Sequence, residues 1–193
     1  MEARDIISTL KRHIRADAQH YYRHSDYWHY GLQQTPERVA AVAELVVREY
    51  PGDLVEIGCA KGVTSRRLAK IAAEHGRKLI AVDPWENGGL GPEDFDEFLE
   101  NIKRYRDSVT ILPMKSQRPE VTYRLGLTRL CFAYVDGEHT YDALASDLVT
   151  VSHAPVIAVD DILWDWRLLR AFHEASENRQ PIRHPWCNEG YIL

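Results

Sequence analysis

Only three cysteines occur in the 193 residues, Cys59, Cys131 and Cys187, far apart and without CxxC spacing. That excludes a disulfide framework and a zinc knuckle, and it suits a reducing cytoplasm. No apolar run approaches the roughly eighteen residues of a spanning helix, and the start, "MEARDIISTLKRH", has no apolar leader core. A soluble, unexported cytoplasmic protein with no membrane partner is expected. Positive charge is not in excess either: 24 Lys and Arg stand against 29 Asp and Glu, a net charge of -5 at pH 7. Without a basic field to meet a phosphate backbone, nucleic acid is not an expected partner. Repeats, low-complexity tracts and linkers are absent as well. What is present, 45% hydrophobic residues, is enough for one sizeable core.

The pattern along the chain is mostly alternating. Ile6, Ile7, Leu10 and Ile14 give residues 2–18 helical spacing. Thr35 followed by Pro36 reads as an N-cap and first helical residue, with Val39, Val42, Ala43, Val46 and Val47 as the buried stripe of the next helix. Strands are expected at "LVEIG", "KLIAVD", "SVTIL", "LCFAYVD" and "PVIAVDD", with helices at "SRRLAKIAAEHG", "PEDFDEFLENIKRY", "YDALASDLVTV" and "DWRLLRAFHEAS" and short extended pieces around "PIRH" and "GYIL". This predicts an α/β fold, a Rossmann-like doubly wound, mostly parallel sheet of about seven strands with helices on both faces and an N-terminal helical extension. The expected division is 1–35, a helix with an aromatic lid or dimer segment, and 36–193, a ligand-binding domain. Ligands of such sheets sit at the carboxyl ends of the strands.

The first strand ends in "EIGCAKGVTS", where Glu56, Gly58 and Gly62 lead into a helix. Glycine lets a backbone approach a ligand, and a helix start offers free amides. A dinucleotide fingerprint would need GxGxxG, but Ala60 takes the place of its second glycine. Asp83 ends the second strand, at the distance where an acid grips ribose hydroxyls in such folds. With "AVDPW", "KSQ", "VDGEHTY" and "AVDD" following in order, the chain resembles class I S-adenosylmethionine-dependent O-methyltransferases over roughly residues 50–165. Within that group it looks like the metal-dependent branch of macrocin and mycinamicin sugar O-methyltransferases and, more distantly, the catechol-type enzymes. The resemblance implies that Glu56, Gly58, Ala60 and Gly62 line the methionine end of the cofactor, that Thr64 reaches its carboxylate and Asp83 its ribose, and that Ser116 and Gln117 flank the adenine beside Asp136. Thr64 could instead cap its own helix, and Ser116 and Gln117 could be surface turn residues. An acid often stands in the family where this chain has Lys115, and the usual proline-glycine-glycine turn before the fifth strand is replaced by "SHAPVIAVDD".

Two strands, "CFAYVD" and "PVIAVDD", end in aspartate, and neighbouring parallel strands open onto one crevice. Asp136, Asp160 and Asp161 would then repel one another unless a cation sat among them. Oxygen ligands favour Mg2+ or another hard divalent cation. A sugar or alcohol hydroxyl is hardly ionised at neutral pH, and a cation would lower its pKa while a nearby base took the proton. His139 is the first candidate base and Glu138 the second. The plainer alternative makes Asp136 a helix cap with Glu138 and His139 solvated.

The expected activity is therefore methyl transfer to a hydroxyl of a small sugar or natural-product type acceptor. The aromatic, histidine-rich stretch from His20 to Tyr30 suits a lid over that acceptor or a contact between copies in a homodimer or higher oligomer. "WENGGLG" could close over the site, and Trp85, Trp164 and Trp166 could wall it or simply pack. Two rivals remain: a non-catalytic S-adenosylmethionine-binding scaffold, and a nicotinamide-dependent oxidoreductase. Against the second, none of the six lysines has a tyrosine four residues before it.

Overall fold

A computed structural model of the chain describes residues 4–9, 11–12, 27–86, 92–183 and 188–193, with the side chains of 27–34 and 92 outside the description. Seven strands form one sheet in the order β3-β2-β1-β4-β5-β7-β6. They are β1 Asp53–Ile57, β2 Leu79–Val82, β3 Val109–Leu112, β4 Leu130–Val135, β5 Val156–Val159, β6 Pro181–Arg183 and β7 Gly190–Ile192. The first five pair in parallel; β7 pairs antiparallel with β5 and with β6. The helices are α1 Tyr27–Glu49, α2 Val63–Glu74, α3 Pro92–Ile102 followed by a 3-10 stretch Lys103–Ser108, α4 Pro119–Gly126, α5 Tyr141–Thr150 and α6 Trp166–Ala175.

The unbroken apolar runs of the sequence belong to strands covered on both faces. Every residue of β2, β4 and β5 is buried, whereas the edge strands β3 and β6 are partly exposed. Side chains alternate between faces along each strand, and they feed two cores. Leu54, Leu79, Phe132, Tyr134 and Ala158 meet α1, α2 and α3 through Val39, Leu68 and Phe98. Val55, Ile80, Val135 and Ile157 meet α4, α5 and α6 through Leu125, Leu148 and Phe172. Burying one such side chain is worth about 1.5–3 kcal/mol. Ile6 is 1% exposed in the first of these cores, so the helical segment 4–9 packs against the domain. The rest of the expected first helix and most of the His20–Tyr30 stretch lie outside the described residues, as do most of "WENGGLG" and Cys187.

Strand order reverses between β1 and β4, because the chain runs outward through β2 and β3 and then crosses back. A crevice opens at the carboxyl ends of the strands where such a reversal occurs. Glu56 pairs in register with Tyr134, and Tyr134 with Ala158, so Glu56, Tyr134 and the next same-face positions, Asp136 and Asp160, all project toward the α1–α3 side of that crevice.

Three expectations need correction. Thr35 does not cap a helix that starts at Pro36: α1 begins nine residues earlier, at Tyr27, and keeps Pro36 inside it. Thr35 is buried, and its hydroxyl accepts from Arg38 at 3.0 Å. The helix expected over 92–105 stops at Ile102, and Tyr105 leaves helical geometry within the 3-10 stretch. Helix α4 was not foreseen, although Pro119 at its first turn, Glu120 beside it and buried Val121 and Leu125 four residues apart are the usual signals.

Candidate active-site cavity

The crevice is a cavity of about 830 Å3 lined by the end of β1 and the loop after it, the end of β2, residues 115–117 and residues 136–139. Gly58 sits at its neck with φ of 84°, and a Cβ there would lie 1.9 Å from the Asp136 carbonyl oxygen. The close neighbour that demands glycine is thus the end of β4, not a ligand. The loop is held from the β2 side: Asp83 Oδ2 accepts from the amides of Cys59 at 2.9 Å and Ala60 at 3.0 Å, and Oδ1 from that of Trp85 at 2.8 Å. Trp85 is 5% exposed, donates from its indole to the Ala60 carbonyl at 2.8 Å, and packs on Phe95 and Phe98, so it is core rather than rim. Gly62 abuts Phe98, and no side chain caps α2, whose first turn brings Thr64 to the cavity wall.

Glu56 lies at the floor, 1% exposed, with its Oε2 unpartnered. Burial pushes its carboxyl up to about 8, with Asp136 and Asp83 adding repulsion. A buried orphan acceptor beside a cavity is a place for a cationic or hydrogen-bond-donating ligand group. Cys59 is no nucleophile, since burial raises its thiol well above the usual range.

At the other wall the acids separate into two arrangements. Asp136, His139 and Asp161 each bring one ligand atom within 4.8 Å of the others, the spacing a metal ion would need. His139 Nε2 lies 2.9 Å from Asp161 Oδ2 and 3.6 Å from Asp136 Oδ1. Those two carboxylates raise His139 to about 10, Asp136 foremost, which favours its protonated form while no cation lies between them. Its plane stacks on Trp164 with ring centres 5.2 Å apart. Asp160 stands beside this group with its oxygens turned elsewhere. Its Oδ2 accepts from the Tyr134 hydroxyl at 2.9 Å, and its Oδ1 from the Asp161 amide at 2.9 Å. Burial lifts it to about 8. The same hydroxyl reaches Asp136 Oδ2 at 3.2 Å.

Asp161 has φ of 53°, an uncommon conformation for a non-glycine residue. Asn188 fixes it: its side-chain amide donates to Asp161, while its carbonyl groups accept from the amides of Ile162 and Leu163, each at 3.0 Å. Neither Tyr134 nor Asn188 was foreseen. Tyr134 carried a signal, being two residues before Asp136 on the same strand face; Asn188, 27 residues from Asp161, carried none. Glu138 is half exposed and faces Lys115 at 3.6 Å, away from the acidic group. Ser116 and Gln117 line the cavity's far end, joined by a 2.8 Å hydrogen bond. Trp164 and Trp166 are 70% and 68% exposed, so neither is core.

A family described as a methyltransferase domain matches residues 55–162, from β1 through the aspartates after β5. The chain belongs to that family. Solved structures similar to this methyltransferase domain include apo CalS11, a TDP-rhamnose 3'-O-methyltransferase of calicheamicin biosynthesis, at 13% identity and TM-score 0.63, covering 100% of this chain and 95% of that one. An O-methyltransferase from Bacillus cereus in complex with SAH has 15% identity and TM-score 0.59, with 96% and 89% covered. Cofactor-bound Rv0187 from MTB has 14% identity and TM-score 0.63, with 83% and 79% covered. At these identities the likeness is one of fold. No curated protein matches. Among the described residues of the methyltransferase, no helix is long and apolar enough to cross a membrane.

Proposed function

We propose that the enzyme moves a methyl group from S-adenosylmethionine to a hydroxyl of a small acceptor of sugar or natural-product type, assisted by a divalent cation. The observation that carries this reading is the juxtaposition, at one cavity, of the buried Glu56 carboxyl, its Oε2 unpartnered, and the Asp136–His139–Asp161 group, of which Asp136 and His139 line that cavity. S-adenosylmethionine supplies the methyl on a sulfonium centre. Glu56 and the loop through Gly58, Ala60 and Gly62 would hold its methionine end with Thr64, Asp83 would offer its remaining lone pairs to the ribose, and Ser116 and Gln117 would face the adenine. These assignments fit a site with an orphan acceptor at its floor and polar groups at its far end.

The cation site fits with one change from the all-oxygen set. Asp136, Asp161 and the His139 nitrogen form a mixed oxygen and nitrogen set, which accommodates manganese or iron as readily as magnesium. A bound divalent cation lowers the pKa of an acceptor hydroxyl and offsets the paired carboxylates. His139 now holds a proton between those carboxylates; once that proton is displaced, the neutral ring is a ligand or a base for the hydroxyl proton. Asp160, held by Tyr134, steadies the loop that carries Asp161. The exposed Trp164 beside His139 offers a flat face for the acceptor.

Calorimetric titration with S-adenosylmethionine, followed by labelled-methyl transfer to a panel of hydroxylated acceptors with Mg2+, Mn2+ or chelator, tests the reading. Binding is expected, with turnover that needs the cation and falls at least roughly a hundredfold in Asp161→Ala. Binding with no turnover on any acceptor would support a scaffold role instead, and activity surviving exhaustive chelation would remove the cation from the scheme.

A further inference from the structure

Behind the far end of the cavity, next to Ser116 and Gln117, stands a carboxylate that does not line it. Asp147 sits on the inner face of α5, 1% exposed, and its Oδ1 accepts from Gln117 Nε2 at 3.1 Å. The second proton of that amide goes to the Ser116 hydroxyl oxygen at 2.8 Å. Burial raises Asp147 to about 6, with the hydroxyl of Ser116 and the amide of Gln117 favouring its charged form. At neutral pH it is therefore ionised, and an ionised carboxylate can only accept. The nitrogen of Gln117 must face it. Both amide protons are then engaged, and Gln117 Oε1 is the side-chain atom left over. Gly137 backs the carboxylate closely, since a Cβ at that position would lie 3.1 Å from Asp147 Oδ2. Gln117 and Ser116 line the cavity, and Lys115 beside them is turned to Glu138.

We infer that Asp147 is a positioning residue, locking the Gln117 amide so that its carbonyl oxygen forms a fixed acceptor that selects a 6-amino purine over a 6-oxo purine. This rests on the reading of the cavity as a methyl-donor site. An adenine amino group donates to such an oxygen. The keto oxygen of hypoxanthine meets it acceptor to acceptor, and both groups lose their partners. In this chain the acid stands one layer behind the cavity wall, where the resembled family often has an acid at the position of Lys115.

The test is calorimetric titration of the full chain with S-adenosylhomocysteine and with S-inosylhomocysteine, which differ in the 6-substituent and in the proton that the oxo form carries on N1. The wild type is expected to prefer the adenine form by roughly tenfold or more. In Asp147→Ala the amide is free to turn and present its protons, and the preference is expected to shrink to within about threefold. Gln117→Met keeps the buried carboxylate and the side-chain length while removing the acceptor, and it should lose the preference as well; it decides alone should Asp147→Ala fail to fold. A merely structural role for Asp147 would weaken both ligands alike and leave the ratio standing. A wild type indifferent to the purine, or either folded variant with its preference intact, overturns the proposal, whereas a wild type that binds neither compound overturns the methyl-donor reading beneath it.

Discussion

Asp147 is an acid on the inner face of a helix, and the protein keeps its proton more tightly than water does. Its folded value of about 6 lies above the ordinary 3.8. The folded state therefore binds more protons than the unfolded chain between those values, and stability is lost as pH rises through that window. Two units correspond to about 2–3 kcal/mol. Glu56, raised to about 8 from 4.5, extends the same trend to higher pH. Urea unfolding from pH 4 to 8 should show stability falling, and Asp147→Asn should make the fall below pH 6 shallower, the remainder there coming from Asp160 and Glu56, while leaving the part above it. An unchanged profile in that variant would mean that the carboxyl titrates alike in both states. This residue also marks what was legible at the smallest scale. The strand-end aspartates could be read because neighbouring parallel strands open on the same side. The hydrogen bonds around them could not be read. Tyr134, Asn188 and Asp147 act on partners 26, 27 and 30 residues away, and no local pattern encodes such pairings. His139 was read as a base because its ordinary value is near neutral; the two carboxylates that charge it converge only in the folded chain.

At the scale of elements, the strands were the clearest, because a strand buried on both faces leaves an unbroken apolar run. Helix α1 was misread at its start for a definite reason: a threonine before a proline is the usual opening of a helix, yet here the helix runs through both. A proline at 36 has no amide proton for the carbonyl four residues earlier, a cost of about 3 kcal/mol in an isolated helix. One contact that holds this helix in place is the ion pair of Arg38 with Glu189, which are 2% and 1% exposed and span the chain from α1 to the residue before β7. Glu189 adjoins Asn188, so the pair also anchors the residue that fixes Asp161. Removing one partner strands the other charge in the core. Arg38→Met should cost about 3–5 kcal/mol and lower methyl transfer, and adding Glu189→Leu should restore most of the stability. Chemical denaturation of the three proteins decides it, and a double variant as weak as the single one would show that packing of the guanidinium, not charge, is what matters.

For the molecule as a whole, the sheet order places the residues of the proposed donor and acceptor sites on two walls of one opening: Glu56 and the β1 loop on one side, Asp136, His139 and Asp161 on the other. Their supports are largely separate. The loop is pinned by Asp83, Trp85 and Phe98 from the β2 side, while Asp161 is pinned by Asn188, just before β7. If that separation holds energetically, donor binding and cation binding are distinguishable events. S-adenosylhomocysteine at a hundred times its Kd adds about 2.7 kcal/mol to the folded state, which for a chain of this length shifts the melting temperature by roughly 5–10 °C. The shift should be the same in magnesium and in chelator, and it should survive in Asp161→Ala, while methyl transfer is lost in chelator and falls at least roughly a hundredfold in that variant. A shift that vanishes in chelator would mean instead that the two walls form one coupled site, the negative charge of Asp136 that helps hold Glu56 protonated being offset only when a cation is bound.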